Sequence, residues 1–347
     1  MSRFVQLHAL TAYPPSNPNR DDLGRPKTAI YGGHPRLRIS SQSLKRAFRQ
    51  SEAFQMGLAG SLGERTQRLG EQVEEHLTSK GTDEERAMEI ARQVASAFGK
   101  IKGEKDAHPA RIEQLAFVSP DEKALAMELA DAIAGGEEAP KEKDLANRLL
   151  RNADGAADIA MFGRMLAADP DYNRDAAVQV AHAITTSRVD VEDDFYTAVD
   201  DLKTPAEDAG AGFIGEAGFG AGVFYLYVCV DRALLLENLS HDAGLAAKAL
   251  QALVHAIAVN SPSGKKSSFA NHVRAEYLLA ERGDYQPRTL ASAFLNPVGA
   301  GDQLALSKKA LTELREQFNR AYGADWDADI ALDVREGGAS LDEVAAF

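Results

Sequence analysis

Between Arg36 and Arg49 the chain changes period in mid-stretch, and this change constrains its fold more than any other feature. In R-L-R-I, Leu37 and Ile39 fall on one face of a strand and Arg36 and Arg38 on the other. Either Ser40 or Ser41 can then cap a helix, whose first-turn N–H groups are unpaired and attract anions. On that helix Gln42, Lys45 and Arg49 stand at i, i+3 and i+7 on one face, opposite an apolar stripe of Leu44, Ala47 and Phe48. Donors and cations in a row beyond a helix start suit a run of phosphates. A solvated basic face on an amphipathic helix has the same pattern, so the surroundings must decide.

Charge is one such surrounding. The chain of 347 residues carries a net charge of -13, which on its own argues against a nucleic-acid partner. Residues 1–50, however, hold nine cations (Arg3, Arg20, Arg25, Lys27, Arg36, Arg38, Lys45, Arg46 and Arg49) against Asp21 and Asp22, a net +7 that leaves -20 for the rest. A basic patch on an acidic body fits a local polyanion site with a repulsive exterior. Hydrophobic content of 44% and a mean hydropathy of -0.30 describe an ordinary soluble protein. Its length allows one large domain or two moderate ones. No apolar run approaches the roughly 20 residues of a membrane span, and the start lacks the apolar core of a signal peptide, so a cytoplasmic location is expected. The single cysteine, Cys229, excludes an intrachain disulfide and reads as a buried thiol in an apolar strand.

Residues 4–12 alternate as a first strand, followed by a Pro/Asn-rich loop and a Gly-Gly turn in K-T-A-I-Y-G-G-H. Arg20 and Lys27 lie in this segment, within reach of the anion that Lys45 would hold. His8 and His34 have no partner at a ligand-like spacing and read as strand-embedded or surface histidines. From about residue 60 the chain is helical, charged and alanine-rich. Thr82 to Glu85 and Ser119 to Glu122 form capping boxes, and Pro140 opens a third helix through Leu150. Strand character returns over Asp158–Leu166 and again where Val178, Val180, His182 and Ile184 share a face, with His182 read as a core residue. The glycine-dense stretch 210–222 is either a hairpin arm or a phosphate loop. It lacks the G-x-x-x-x-G-K-[ST] pattern, and an arm with Phe195, Tyr196, Val199 and Ile214 as apolar tips is the better reading. Residues 222–230 form a central strand, 243–259 a helix, 273–280 a strand and 303–322 a last helix before an acidic tail expected to be partly loose. This order predicts an α+β fold, a ferredoxin-like or RNA-recognition-motif-like sheet carrying a helical insertion.

Several stretches resemble the CasC family, the repeated backbone subunits of type I-E Cascade, a CRISPR RNA-guided surveillance complex. They are N-R-D-D (19–22), I-Y-G-G (30–33), R-I-S-S-Q-S-L-K-R-A (38–47), A-H-A-I-T-T (181–186), F-Y-T-A-V-D-D (195–201) and G-V-F-Y (222–225). The resemblance implies a right-hand shape: a palm from 1–58, 160–188 and 223–347, helical fingers at 59–159, and a thumb hairpin at 189–222. It implies copies joined head to tail along a crRNA in a helical filament that serves antiviral defence, beside other Cascade subunits, with the guide presented to a target DNA strand. Carried over residue by residue, Ser40, Gln42, Lys45 and Arg49 would contact guide phosphates, with Arg20, Lys27 and Lys265 as further contacts. Met165, Phe195, Tyr196, Val199 and Ile214 would wedge around a displaced nucleotide. No cofactor or metal is implied, and no catalysis. The alternative is a metal-dependent ribonuclease of the type III kind, with Asp21 and Asp22 holding the metal.

Overall fold

The alternation at the start of the chain builds β1 (Phe4–Ser16), the strand about which the first of two compact units is laid out. The computed structural model describes residues 2–166, 169–198, 213–324 and 326–347. One unit comprises 1–52, 180–229 and 253–347; the other comprises 53–179 and 230–252. The sheet of the first unit runs in the order Ala328–Asp333, Tyr277–Gly283, β1, Phe213–Asp231, Ala183–Thr185, β3 (His34–Ile39) and β2 (Thr28–Tyr31). Tyr277–Gly283 is antiparallel to β1, with Leu7 opposite Ala280. Leu10, Val223, Tyr225, Leu290, Phe294, Leu304 and Leu311 form a core beneath the sheet. The fold is α+β with an RNA-recognition-motif-like sheet, the class that the alternation of strand and helix predicts.

Gly32 and Gly33 turn β2 into β3 with φ of 60° and 79°, a conformation that disfavours any side chain. Gly32 has a second reason to be glycine: a Cβ there would lie 1.7 Å from the carbonyl oxygen of Leu295. β3 leads into α1 (Ser41–Arg49), capped by Ser40, whose hydroxyl accepts from the N–H of Ser43. Leu44 and Phe48 are buried, and Arg46 and Arg49 in the last turn complement the helix dipole. Beneath α1, Leu44 and Phe48 line a residual void of about 20 Å³ with Ile39, Phe224, Leu226 and Ile257. The alternation places Arg36 on the polar side of β3, but the structure buries it completely. Its Nη1 donates to the carbonyls of Thr185 (3.0 Å) and Thr186 (2.6 Å), and its Nη2 to that of Phe294 (2.7 Å).

A second buried charge fastens the opposite side of the sheet. Glu281 is fully buried and accepts from His8, from Arg288 at 2.7 Å and from Arg315 at 2.6 Å. Burial pushes the Glu281 carboxyl up, but the hydrogen bonds and charges of these partners outweigh it and hold the group well below the usual carboxylate range. Burial also lowers the pKa of His8 and keeps the ring neutral. Its Nε2–H therefore donates to Glu281, and Nδ1 accepts from the Tyr225 hydroxyl at 2.9 Å. The guanidinium groups of Arg288 and Arg315 also lie 5.2 and 4.0 Å from the ring centroid of Trp326.

The second unit is built on helices Leu69–Ser79, Glu84–Ala95, Pro120–Ala134 and Glu142–Leu149, with a core that includes Leu69, Val73, Ile90, Val94, Leu129 and Ile133. Ser119 and Glu122 form the expected capping box. Asp83 rather than Thr82 caps Glu84–Ala95, and Lys141 rather than Pro140 stands at the N-cap of Glu142–Leu149. Residues 230–252 return to this unit late in the chain: Asn238 donates to the carbonyls of Ala160 (3.0 Å) and Asp175 (2.9 Å). Among the described residues no helix is long and apolar enough to cross a membrane.

Four expected elements are corrected. Ala157–Phe162 is a helix, not part of a strand; residues 157–161 are all buried, so no polar face sets a period. The run 178–184 breaks into Val178–Val180 and Ala183–Thr185, leaving His182 exposed rather than in the core. The strand expected over 273–280 is Tyr277–Gly283. Residues 328–347 of the tail carry regular structure: Ala328–Asp333 pairs with Tyr277–Gly283, and Ser340 and Glu343 cap the helix Leu341–Ala346. Cys229 and His8 are buried in strands, as the sequence suggests.

Arg36→Met is expected to lower stability by on the order of 3 kcal/mol, because three buried carbonyls lose their donor. An unchanged urea midpoint would show that Arg36 does not fasten β3. Stability should also fall as pH drops below about 4.5, since a depressed carboxyl contributes above its unfolded pKa and loses that contribution on protonation. In urea titrations from pH 6 to 3, Glu281→Gln should flatten this acid limb.

Candidate nucleic-acid interface

The loop between β1 and β2 is held to the start of α1 by Asn19, whose side-chain oxygen accepts from the backbone N–H of Ser40 at 2.8 Å. Asp21 shapes the loop from inside: its carboxylate accepts from the backbone N–H of Leu23 (3.0 Å) and Arg25 (2.9 Å). The Lys27 N–H donates to the Asn19 carbonyl, and the Arg38 N–H to that of Lys27. Arg20, Lys27, the helix start and Arg38 are thus set by one continuous set of backbone bonds.

On α1, Ser40 is nearly buried and its hydroxyl is taken up by the cap, so it offers the helix start rather than a free side chain. Gln42 is exposed, while Lys45 and Arg49 are half-buried. Burial lowers the pKa of Lys45, and a polyanion beside it would favour the charged form. Arg20 does not lie with this row. With Ser43, Arg46, Ala47 and Gln50 it lines a cleft of about 730 Å³ on the neighbouring side of α1, closed by Asn260–Gly264 and rimmed by Asp21 and Asp22. Gly264 packs on Pro18, where a Cβ would lie 2.4 Å from the carbonyl oxygen, and Lys265 follows at φ 48°.

Two of the nine early cations leave the surface patch. Arg36 is spent in the core, and Arg25 is paired with Asp193 at 2.9 Å and Glu216 at 3.5 Å. Arg20, Lys27, Arg38 and Arg46 form no ion pair with any described residue. Arg38, Arg46, Ser43 and Gln50 join the site without a spacing that singles them out, although the K-R pair at 45–46 already signals Arg46. Among the described residues no three His, Cys, Asp or Glu side chains gather as a metal site would require.

From Phe213 onward the glycine-dense stretch is a strand. Glu192–Ala198 pairs antiparallel with the first part of Phe213–Asp231, with Glu192 opposite Phe219 and Ala198 opposite Phe213. Gly218 and Gly220 share a face, as every second strand residue does. A Cβ on Gly218 would press on Pro26 at 3.0 Å, and one on Gly220 on Leu37 at 2.8 Å. The glycines therefore let the arm lie close against β3 and the loop. Phe195 (70% exposed) and Tyr196 (45% exposed) project from its partner strand. Ile214 lies opposite Thr197, and Val199 lies outside the described residues. Met165, in the other unit, is 79% exposed and follows Arg164, which is buried against Glu122 at 2.6 Å.

Two solved structures are similar to the chain along its length. One is a chain of a CRISPR RNA-guided surveillance complex, pre-nicking: 32% identical, TM-score 0.85, covering 99% of this chain and 100% of that one. The other, from a CRISPR RNA-guided surveillance complex, is 29% identical with TM-score 0.72 and covers 99% of each chain. No protein with a curated description matches. The family described as CT1975-like protein matches residues 5–345, and the chain belongs to that family.

Proposed function

We propose that this chain is a non-catalytic, crRNA-binding backbone subunit of a type I-E Cascade. The observation that carries this is a group of cations, Arg20, Lys27, Arg38 and Arg46, without carboxylate partners among the described residues, around a capped helix start on a protein of net charge -13. Likeness over the full length to chains of CRISPR RNA-guided surveillance complexes supports the reading. The first unit is the palm, the helical insertion the fingers and the hairpin the thumb. Copies join head to tail, a contact that does not close and so runs on along the guide. Contact is with the RNA backbone, because a guide of varying sequence cannot be read base by base. The bases stay available to pair with a target DNA strand. Ser40, Gln42, Lys45, Arg49 and Lys265 follow the phosphates, and Met165, Phe195 and Tyr196 part neighbouring bases.

The ribonuclease alternative is the weaker reading. The Asp21 carboxylate is engaged by two backbone N–H groups of its own loop, which leaves Asp22 without a second acid of equal freedom. Incubating assembled complex with guide-complementary RNA and Mg²⁺ separates the two: regularly spaced cuts abolished by Asp22→Ala would establish the nuclease.

Lys45→Ala with Arg49→Ala should weaken RNA retention for every guide sequence and reduce the slope of log affinity against log salt by about 1.4, two single-strand phosphate contacts. Retention equal to wild type at 200 mM salt, on the order used in such titrations, would refute the phosphate assignment. Phe195→Ala should leave assembly intact but blur the regular spacing of nuclease-protected nucleotides, read by footprinting.

A further inference from the structure

Arg38 and His182 belong to neighbouring strands of the first unit, where register sets Arg38 opposite Ile184 and Ile39 opposite Ala183. The Arg38 Nη1 donates to Nδ1 of His182 at 2.9 Å. A guanidinium carries only donors, so Nδ1 must accept, and the neutral imidazole keeps its proton on Nε2. His182 is exposed and therefore presents a fixed N–H donor at the surface. Partial burial, then the charges of Arg38 and Lys27, lower its pKa and keep it in this neutral form. Among the described residues the charges that reach His182 are these two cations.

The same cations lack acidic partners among the described residues. Neither Lys27 nor Arg38 forms an ion pair with a described residue, and the Arg38 Nη2 donates to no described residue. The Arg38 N–H donates to the Lys27 carbonyl at 2.8 Å, which fixes the two backbones side by side. An ammonium, an open guanidinium edge and an oriented imidazole N–H with no acid among them match the oxygens of a phosphate. A protein with an acidic surplus has carboxylates to spare for neutralising such a cluster. None of the described carboxylates pairs with it.

We propose that Lys27, Arg38 and His182 form an oxyanion subsite for one phosphodiester group of single-stranded RNA, with His182 donating from Nε2 as the neutral tautomer. The subsite rests on the RNA-binding reading above and adds a contact to those of the α1 row. His182 acts here as a donor, not as a charge. Protonation would place a hydrogen on Nδ1, against the Arg38 donor.

The test is the affinity of the purified chain for a uniform single-stranded RNA oligonucleotide, measured for wild type, His182→Ala and His182→Gln at pH 7 and pH 8.5. His182→Ala should weaken binding about tenfold to a hundredfold, the range of one hydrogen bond to a charged group. His182→Gln should recover most of that loss, because its amide can accept from Arg38 and donate outward at once. The wild-type advantage over His182→Ala should be the same at both pH values. Equal binding by wild type and His182→Ala overturns the subsite, and so does an advantage that fades by pH 8.5 or that glutamine fails to recover. A wild-type chain that binds no RNA overturns the RNA-binding reading itself, a different result from the others.

Discussion

Arg36 is the interaction on which the placement of the site depends. A guanidinium buried without a carboxylate partner is costly, and here backbone carbonyls from two separate segments, 185–186 and 294, satisfy it. The β3 strand is thereby tied to Ala183–Thr185 on one side and to the turn at Phe294 on the other. Much of the site starts from the end of β3: the Ser40 cap, the face of α1, and the Arg38 side chain beside His182. Gly32 tightens the same joint, since its contact with Leu295 comes one residue after Phe294. Arg36 and Arg38 stand two residues apart on one strand, yet one holds the interior together and the other faces solvent.

The charge distribution has a matching logic. Acidic residues elsewhere on the chain are engaged in many ion pairs, such as those of Glu71, Asp131 and Asp333. Around the start of α1 the pattern reverses, and Arg20, Lys27, Arg38 and Arg46 pair with no described carboxylate. Exposed ion pairs contribute little to stability, so omitting them there costs the fold little. It leaves an electrostatic field for a ligand to neutralise.

Much of this was legible in the sequence. The period change at Ile39–Ser40, the Gly-Gly turn, the Ser119 capping box and the helices 243–259 and 303–322 all announce themselves locally. What could not be read depends on distant partners. Arg36 and Arg38 look identical in an alternating pattern, and only the carbonyls at 185, 186 and 294 separate them. The apolar neighbours of His182 suggest a core residue, but a break in the strand at Ala181 turns it outward. Ala157–Phe162 is buried on all sides, and a fully buried segment has no period to read. At the site, the Lys45 row was visible as helical spacing. The grouping of Arg20 with Arg46 needed the loop geometry that Asn19 and Asp21 impose.

The strand Phe213–Asp231 is both the outer rung of the hairpin and a central rung of the sheet. Tension applied at the projecting end therefore passes straight into the hydrogen-bond ladder at the centre of the unit, with no joint to absorb it. One residue inserted or deleted along the outer half would turn over every side chain beyond the lesion while the inner half stayed pinned. Such an element can change over evolutionary time by exchanging side chains far more easily than by changing length, so a lineage can retune what its projecting end touches while its reach stays constant.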